Sequence, residues 1–185
     1  MQKKTHITFG LLLGSLMYYF GLPIQYIILI GVTAFLPDID WYMDKVWFKK
    51  EGFAKKIWYK LSRGRGMHRT ILHNLWILIP LLIGLGYLSN WDLYTLLGSF
   101  TGYTSHLLMD SLTRTGIYWL WPYGDERIFG RRRFFVRGGF VTGSISEKIL
   151  QSIMFIATVA VFALSTSDIN ELTRWVRDIL DELVK

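Results

Sequence analysis

The chain has 185 residues, of which 51% are hydrophobic, and it carries a formal net charge of +7. Its mean hydropathy is +0.29, and its polar residues are clustered between long apolar runs, which favours a membrane protein over a soluble one. Cysteine is absent, which excludes disulfides and thiolate metal sites, so any bound metal must take its ligands from His, Asp or Glu. No repeat or linker divides the sequence, and we expect a single domain over residues 1–185.

Apolar segments predict an all-α fold, a polytopic membrane bundle of about five hydrophobic helices with interfacial amphipathic helices beside it. The start of the chain has the basic-then-apolar order of a signal peptide, but no cleavage site follows it, and we expect it to be retained. Residues 7–36 would make one helix of roughly 45 Å, longer than a bilayer core of about 30 Å, and Gly21 and Pro23 divide them into a hairpin. The predicted helices cover residues 5–20, 24–37, 71–88, 93–109 and 149–165, and the amphipathic stretches cover residues 41–61 and 168–184.

Positive charges are concentrated on one side of this predicted topology. Eighteen of the twenty-one Lys and Arg residues lie at Lys3 and Lys4, between residues 45 and 69, and between residues 114 and 148. The positive-inside rule therefore predicts a multi-pass protein of the cytoplasmic (inner) membrane with its basic side in the cytoplasm. The amphipathic stretch 41–61 places lysines between aromatic residues and suits contact with anionic lipid, whereas 168–184 suits either the membrane surface or one end of the bundle.

Histidine and aspartate gather on the same predicted side. His106 and Asp110 are four residues apart, so they share one face of a helix and could hold one ion. Glycines continue this face at spacings of four, and the same pattern follows His6, which predicts close helix packing at both places. A histidine near a membrane helix end can also be an ordinary hydrogen-bonded residue, but this explanation does not account for the shared placement of all four histidines. The candidate metal ligands are His6, Asp38, Asp40, His68, His73, His106 and Asp110.

Arginines on the same side are candidates for binding an anionic lipid headgroup or a phosphate. These candidates are Arg69, Arg131, Arg132 and Arg133. Ordinary positive-inside topology explains most of them equally well. Because the positive charge follows the predicted topology, we expect membrane lipids as partners and do not expect nucleic acid.

Short motifs follow one another in a fixed order along the first two-thirds of the chain. They are THITFG, LPDID, HRTILHN, and GYTSHLLMDSLTRTG followed by IYWLWP. Over residues 6–122 these motifs resemble the YdjM-like membrane-bound metal-dependent hydrolases, a family with a remote similarity to zinc-dependent phospholipase C and to single-strand-specific zinc nucleases. The family often has His where Trp41 stands here and Ser where Asn74 stands here.

The resemblance implies that all seven candidate ligands bind metal, one or two zinc ions in the first instance, with manganese and iron as alternatives. We expect the catalytic centre to contain Asp38, Asp40, His68, His106 and Asp110, with one aspartate acting as a base or a bridge. Thr113 and Gly116, which end the last motif, would shape the site.

The sequence therefore predicts a membrane-bound metal-dependent hydrolase that cleaves a phosphoester of the lipid-headgroup type with a metal-activated water at the cytoplasmic interface. Two alternatives from other functional classes stay open. One is a non-catalytic membrane protein that binds or senses a metal through the same ligands. The other is a basic surface that binds lipid, nucleic acid or an acidic partner without a metal.

Overall fold

A computed structural model of the protein describes residues 1–42, 52–61, 69–165, 177 and 181. The described chain is mostly α-helical, as predicted, with one small antiparallel sheet. The helices are α1 (Lys3–Tyr19), α2 (Gln25–Phe35), α3 (Phe53–Leu61), α4 (Leu75–Leu88), α5 (Leu93–Ser111), α6 (Glu126–Phe129) and α7 (Ile145–Ser165). Strand β1 (Ile117–Tyr118) pairs with β2 (Phe135–Val136). Of the predicted amphipathic stretch 168–184, residues 177 and 181 are helical and the others lie outside the described residues.

The predicted hairpin between the first two helices is present. Gly21 follows α1 with φ +98°, a conformation that favours glycine. Its N–H donates to the Tyr18 carbonyl, and the N–H of Leu22 donates to the Met17 carbonyl. These two bonds form the Schellman motif that ends many helices, so the break lies where Gly21 and Pro23 predicted it.

Helix α2 packs against both α1 and α5, and glycine makes these contacts close. A Cβ atom at Gly102 of α5 would overlap with the Thr33 hydroxyl and the Ile30 carbonyl of α2. A Cβ atom at Gly10 of α1 would lie 2.6 Å from the Ala34 Cβ. The small-residue spacing thus corresponds to two helix interfaces with near backbone contact, and these interfaces bring the polar ends of α1 and α5 together.

Helix α4 begins at Leu75, four residues later than the predicted start at residue 71. Asn74 is the N-cap, and its side-chain oxygen accepts from the N–H groups of Trp76 at 2.9 Å and Ile77 at 3.3 Å. The preceding residues therefore form a turn, and the buried Tyr103 hydroxyl donates to the Leu72 and Asn74 carbonyls of that turn. This turn carries His73 toward α5.

Of the described helices, α7 alone is both long and apolar enough to cross a membrane, and 6% of its apolar window is buried. It begins four residues before the predicted residue 149, because the Ser144 hydroxyl accepts from the Glu147 N–H and caps it. The other apolar helices are shorter or less apolar: α4 has 14 residues, and α2 has 11. A bundle of five membrane spans therefore stays a prediction.

Candidate metal centre

Two imidazoles face each other where the polar ends of α1 and α5 meet. His106, on α5, places its Nδ1 atom 2.7 Å from the carbonyl oxygen of Ala34. A carbonyl oxygen only accepts, so Nδ1 carries the proton and Nε2 is left with a lone pair. The Nε2 atoms of His106 and His73 lie 3.0 Å apart. Both side chains are fully buried.

His73 is oriented by a carboxylate behind it. Its Nδ1 donates to Asp40 Oδ2 at 2.9 Å, and the same oxygen accepts the backbone N–H of Arg69 at 3.2 Å. Burial disfavours a charge on His73, but the neighbouring carboxylate of Asp38 and the hydrogen bond to Asp40 outweigh it and raise the pKa of the imidazole to about 9. A carboxylate bound to the far nitrogen of a histidine is the usual support of a metal-ligating imidazole, because it aims the other nitrogen.

Carboxylates flank the facing imidazoles. Asp38 Oδ1 lies 3.7 Å from His73 Nε2 and 3.8 Å from His106 Nε2. Asp110 Oδ2 lies 3.5 Å and 3.9 Å from the same two nitrogens. Ligand atoms about 2.0–2.2 Å from one ion are separated by roughly 3–4 Å, so these spacings suit coordination. Within the described residues, two buried triads could hold an ion: His6, His106 and Asp110, and Asp38, His73 and His106.

His6, on α1, completes the cluster from the other side. Its ring stacks on the His106 ring with centroids 3.7 Å apart and an interplanar angle of 15°. Its Nε2 lies 3.2 Å from Asp110 Oδ1, an oxygen that also accepts from the backbone amine of Met1. Helix α1 therefore contributes one imidazole, and its position depends on how its first turn is held.

Buried atoms without a hydrogen-bond partner show whether these side chains fit a bound cation. Among the described residues, His6 Nδ1, Asp38 Oδ2 and Asp110 Oδ2 are buried without a hydrogen-bond partner. An unpaired buried polar atom costs about 1–3 kcal/mol, and a charged one costs more. A divalent cation would pair several of these atoms at once, and imidazole nitrogens with carboxylate oxygens suit zinc, manganese or iron. The residues fit a metal.

Arg69 links the two sides of the centre. Its backbone N–H binds Asp40, and its guanidinium donates to Asp110 Oδ1 at 3.1 Å and to the Thr113 and Thr115 hydroxyls. It does this from φ +63°, a strained value for a residue other than glycine. Thr113 also donates to the Asp110 carbonyl at 2.7 Å, so the residue predicted to shape the site contacts two of its members.

Glu147, which is not among the predicted site residues, is a buried carboxylate that holds the first turn of α1. Its oxygens accept from the Gln2 N–H at 2.6 Å, the Thr5 hydroxyl at 2.9 Å and the Gly143 N–H at 2.6 Å. The signal was present: Ser144 and Glu147 have the spacing of a capping box in front of an apolar run. Glu147 thus fixes the turn of α1 that carries His6.

The remaining predicted residues lie elsewhere. His68 is outside the described residues, and its role as a ligand stays a prediction. Arg131 and Arg133 line a separate cleft, and Arg132 donates to Glu126, which raises the pKa of that guanidinium. Among the predicted anion-binding arginines that the structure describes, Arg69 is the one that contacts the centre.

Comparison with known proteins identifies a family. No curated protein and no solved structure matches the chain. The model of the YdjM inner membrane protein family matches residues 1–170. The match spans every member of the centre, from His6 to Asp110, and extends through the apolar helix α7. The chain therefore belongs to the YdjM inner membrane protein family.

Proposed function

We propose that this protein is a membrane-bound hydrolase that uses one divalent metal ion, zinc in the first instance, to cleave a phosphoester. The observation that best supports the proposal is the facing pair of Nε2 atoms on His73 and His106. Each ring has its Nδ1 proton bound behind it, by Asp40 and by the Ala34 carbonyl respectively. Two imidazoles aimed at one point, with carboxylates beside them, are a common way to hold a catalytic zinc ion.

One ion fits this centre better than two. The two triads share His106, whose Nδ1 is bound to Ala34 and whose Nε2 can coordinate one ion. An ion in either triad therefore uses the only free lone pair of His106. We propose His73 and His106 as ligands together with Asp38 or Asp110, and His6 as a further ligand.

Several side chains of the centre would each have a separate role in the reaction. A bound divalent cation supplies Lewis acidity and lowers the pKa of water toward neutrality. Asp38 Oδ2, buried and without a partner among the described residues, would accept the proton of the attacking water. Asp40 would keep the His73 ring oriented, and the Arg69 guanidinium would offset the negative charge of Asp110.

The test of the metal proposal compares three purified proteins in detergent: wild type, the double variant His106→Ala/Asp110→Ala, and Asp125→Asn as a control. Asp125 is also a buried aspartate, but it caps α6 and does not belong to the centre. Elemental mass spectrometry should find about one transition-metal equivalent in the wild type and the control and none in the double variant. The proteins that contain metal should hydrolyse lipid phosphoesters, and the double variant should not. Equal metal content in all three proteins would refute the assignment.

We also propose that the protein crosses the inner membrane several times, with the centre on the cytoplasmic side. Apolar side chains on the outward faces of α2, α4 and α5, such as Val32, Ile83 and Phe100, support this arrangement. Because the chain has no cysteine, Phe20→Cys and Arg131→Cys each provide a single label site. A membrane-impermeant maleimide should reach them from opposite sides of the membrane. Reaction of both from one side would contradict the proposal.

A second function, metal storage or sensing without catalysis, is favoured by the burial of the ligands. The exposed fractions of His6, His73, His106 and Asp110 are 1% or less, so a substrate has little access except beside Asp38, at 4%. Stoichiometric metal that exchanges readily, without hydrolysis of any lipid phosphoester, would favour this second function.

A further inference from the structure

A cleft opens beside the metal centre at the first turn of α1. It has a volume of about 510 Å³, and we call it the Lys3 cleft. The described residues that line it are Met1, Gln2, Lys3, Lys4, Asp38 and Trp41. Asp38 is the member that also belongs to the metal centre, so this cleft gives a ligand from outside a route to that carboxylate.

Two lysine ammonium groups line the cleft, and neither forms an ion pair within the described part of the chain. The Lys3 amine lies over the rings of Tyr42 and Trp41, 3.7 Å and 4.0 Å from their centroids. Aromatic faces of this kind hold an ammonium in place without cancelling its charge. Lys4 is exposed, and neither lysine forms an ion pair with a residue that the structure describes. Trp41, the residue that departs from the family pattern, thus positions a lysine.

Asp38, which lines the cleft, has a carboxylate oxygen without a partner among the described residues. The Asp38 side chain is 6% exposed, its Oδ1 faces the two imidazoles, and its Oδ2 has no hydrogen-bond partner among the described residues. A cation bound at the centre would neutralise Asp38 and leave the two lysines as the excess charge. A ligand for this cleft must therefore bring negative charge to the lysines and reach toward Asp38.

We propose that the Lys3 cleft is the binding site for the phosphate group of the substrate, with Lys3 and Lys4 as its cationic contacts. This proposal rests on the proposed function, because it places the phosphate beside the same centre. It differs from the sequence-based expectation for the arginines. Arg69 is bound to Asp110 and two threonines, and Arg132 is bound to Glu126, whereas Lys3 and Lys4 have no acidic partner among the residues that the structure describes.

The experiment measures binding, so that it does not depend on turnover. Isothermal titration calorimetry with inorganic phosphate would compare desalted wild type, Lys3→Gln/Lys4→Gln and Lys55→Gln/Lys56→Gln. The last variant makes the same change of charge on α3, at residues that do not line the cleft. We expect phosphate affinity to fall at least about tenfold in the first variant and to stay unchanged in the second. Metal content, measured on the same samples, should be equal in all three.

The other possible results each support or overturn the cleft proposal. Equal phosphate affinity in the three proteins, or no binding to wild type that retains its metal, would overturn the cleft proposal and leave the metal centre standing. Loss of affinity in Lys3→Gln/Lys4→Gln with no metal in any sample would support the cleft and overturn the metal proposal. If the double variant fails to fold, Lys4→Gln alone removes an exposed amine, and unchanged affinity in that variant would overturn the proposal.

A second arm identifies where the phosphate comes from. Wild type would be reconstituted in nanodiscs of phosphatidylcholine with and without phosphatidic acid. Weaker apparent binding of inorganic phosphate in the discs with phosphatidic acid would identify a lipid headgroup as the occupant. Equal binding in both discs would identify a water-soluble phosphate compound.

Discussion

His73 and His106 present their Nε2 atoms to each other at 3.0 Å, although 33 residues separate them in the chain. One ring comes from a turn before α4 and the other from the C-terminal part of the long helix α5. Neither ring is free to rotate, since each Nδ1 atom is bound to an acceptor of its own. The pair is therefore organised before any ion arrives, and the acceptors behind the rings should matter as much as the rings themselves.

Asp40→Asn tests this point. The variant removes the carboxylate that orients His73 and should weaken zinc affinity about 10- to 100-fold, the usual cost of losing such a support. Zinc titration against a competing chelator measures the change. Asp125→Asn, which neutralises another buried aspartate, should bind zinc like the wild type. An Asp40→Asn protein with wild-type affinity would show that Asp40 has no part in the centre.

Gly102→Ala should destabilise the protein by about 1–3 kcal/mol, because the new methyl group would overlap with the Ile30 carbonyl and the Thr33 hydroxyl and force α2 and α5 apart. Thermal unfolding in detergent, followed by circular dichroism, measures the effect. Gly84→Ala is the matched control, since its Cβ atom would meet nothing within 4 Å. If both variants unfold at the wild-type temperature, the close approach of the helices is wrong.

Asn74→Ala should cost about 1 kcal/mol of stability, because the first N–H groups of α4 lose their side-chain acceptor. Asn74→Ser should recover the part of this loss that comes from the cap, since serine is also a preferred N-cap, but not the bonds from the Asn74 amide to the Thr70 and Ile71 carbonyls. The same thermal measurement distinguishes the two variants. This prediction also explains the difference from the family pattern: serine and asparagine can fill the same capping position. A serine variant as unstable as the alanine variant would contradict that explanation.

Glu147→Ala should destabilise the protein more than any surface change of equal charge. It leaves the buried Thr5 hydroxyl and the half-buried N–H groups of Gln2 and Gly143 without their acceptor, and an unpaired buried donor costs about 1–3 kcal/mol. Glu126→Ala, which removes an exposed carboxylate paired with Arg132, should have little effect. Equal unfolding temperatures for the two variants would show that Glu147 does not hold α1.

Much of the centre could be predicted because its members follow helical periodicity. His106 and Asp110 share a helix face by their spacing, and Gly102 on the same face marks the close approach to α2. The Ala34 carbonyl could not be predicted, since every residue has a backbone carbonyl and only the fold selects one. The same holds for Asp40: its type suggests a ligand, but its place behind His73 depends on a turn whose shape Asn74 and Tyr103 determine.

The bundle also reverses the usual distribution of residues: among the fully buried side chains of the described chain, polar and charged groups outnumber hydrophobic ones. In water, collapse of the apolar surface would compete with assembly of the charged interior and would leave aspartate and histidine unpaired. We therefore expect refolding from denaturant to require lipid or detergent, and recovery of bound metal should report success better than recovery of helix content. For this protein the bilayer would act as a solvent that keeps its outer surface from becoming its core.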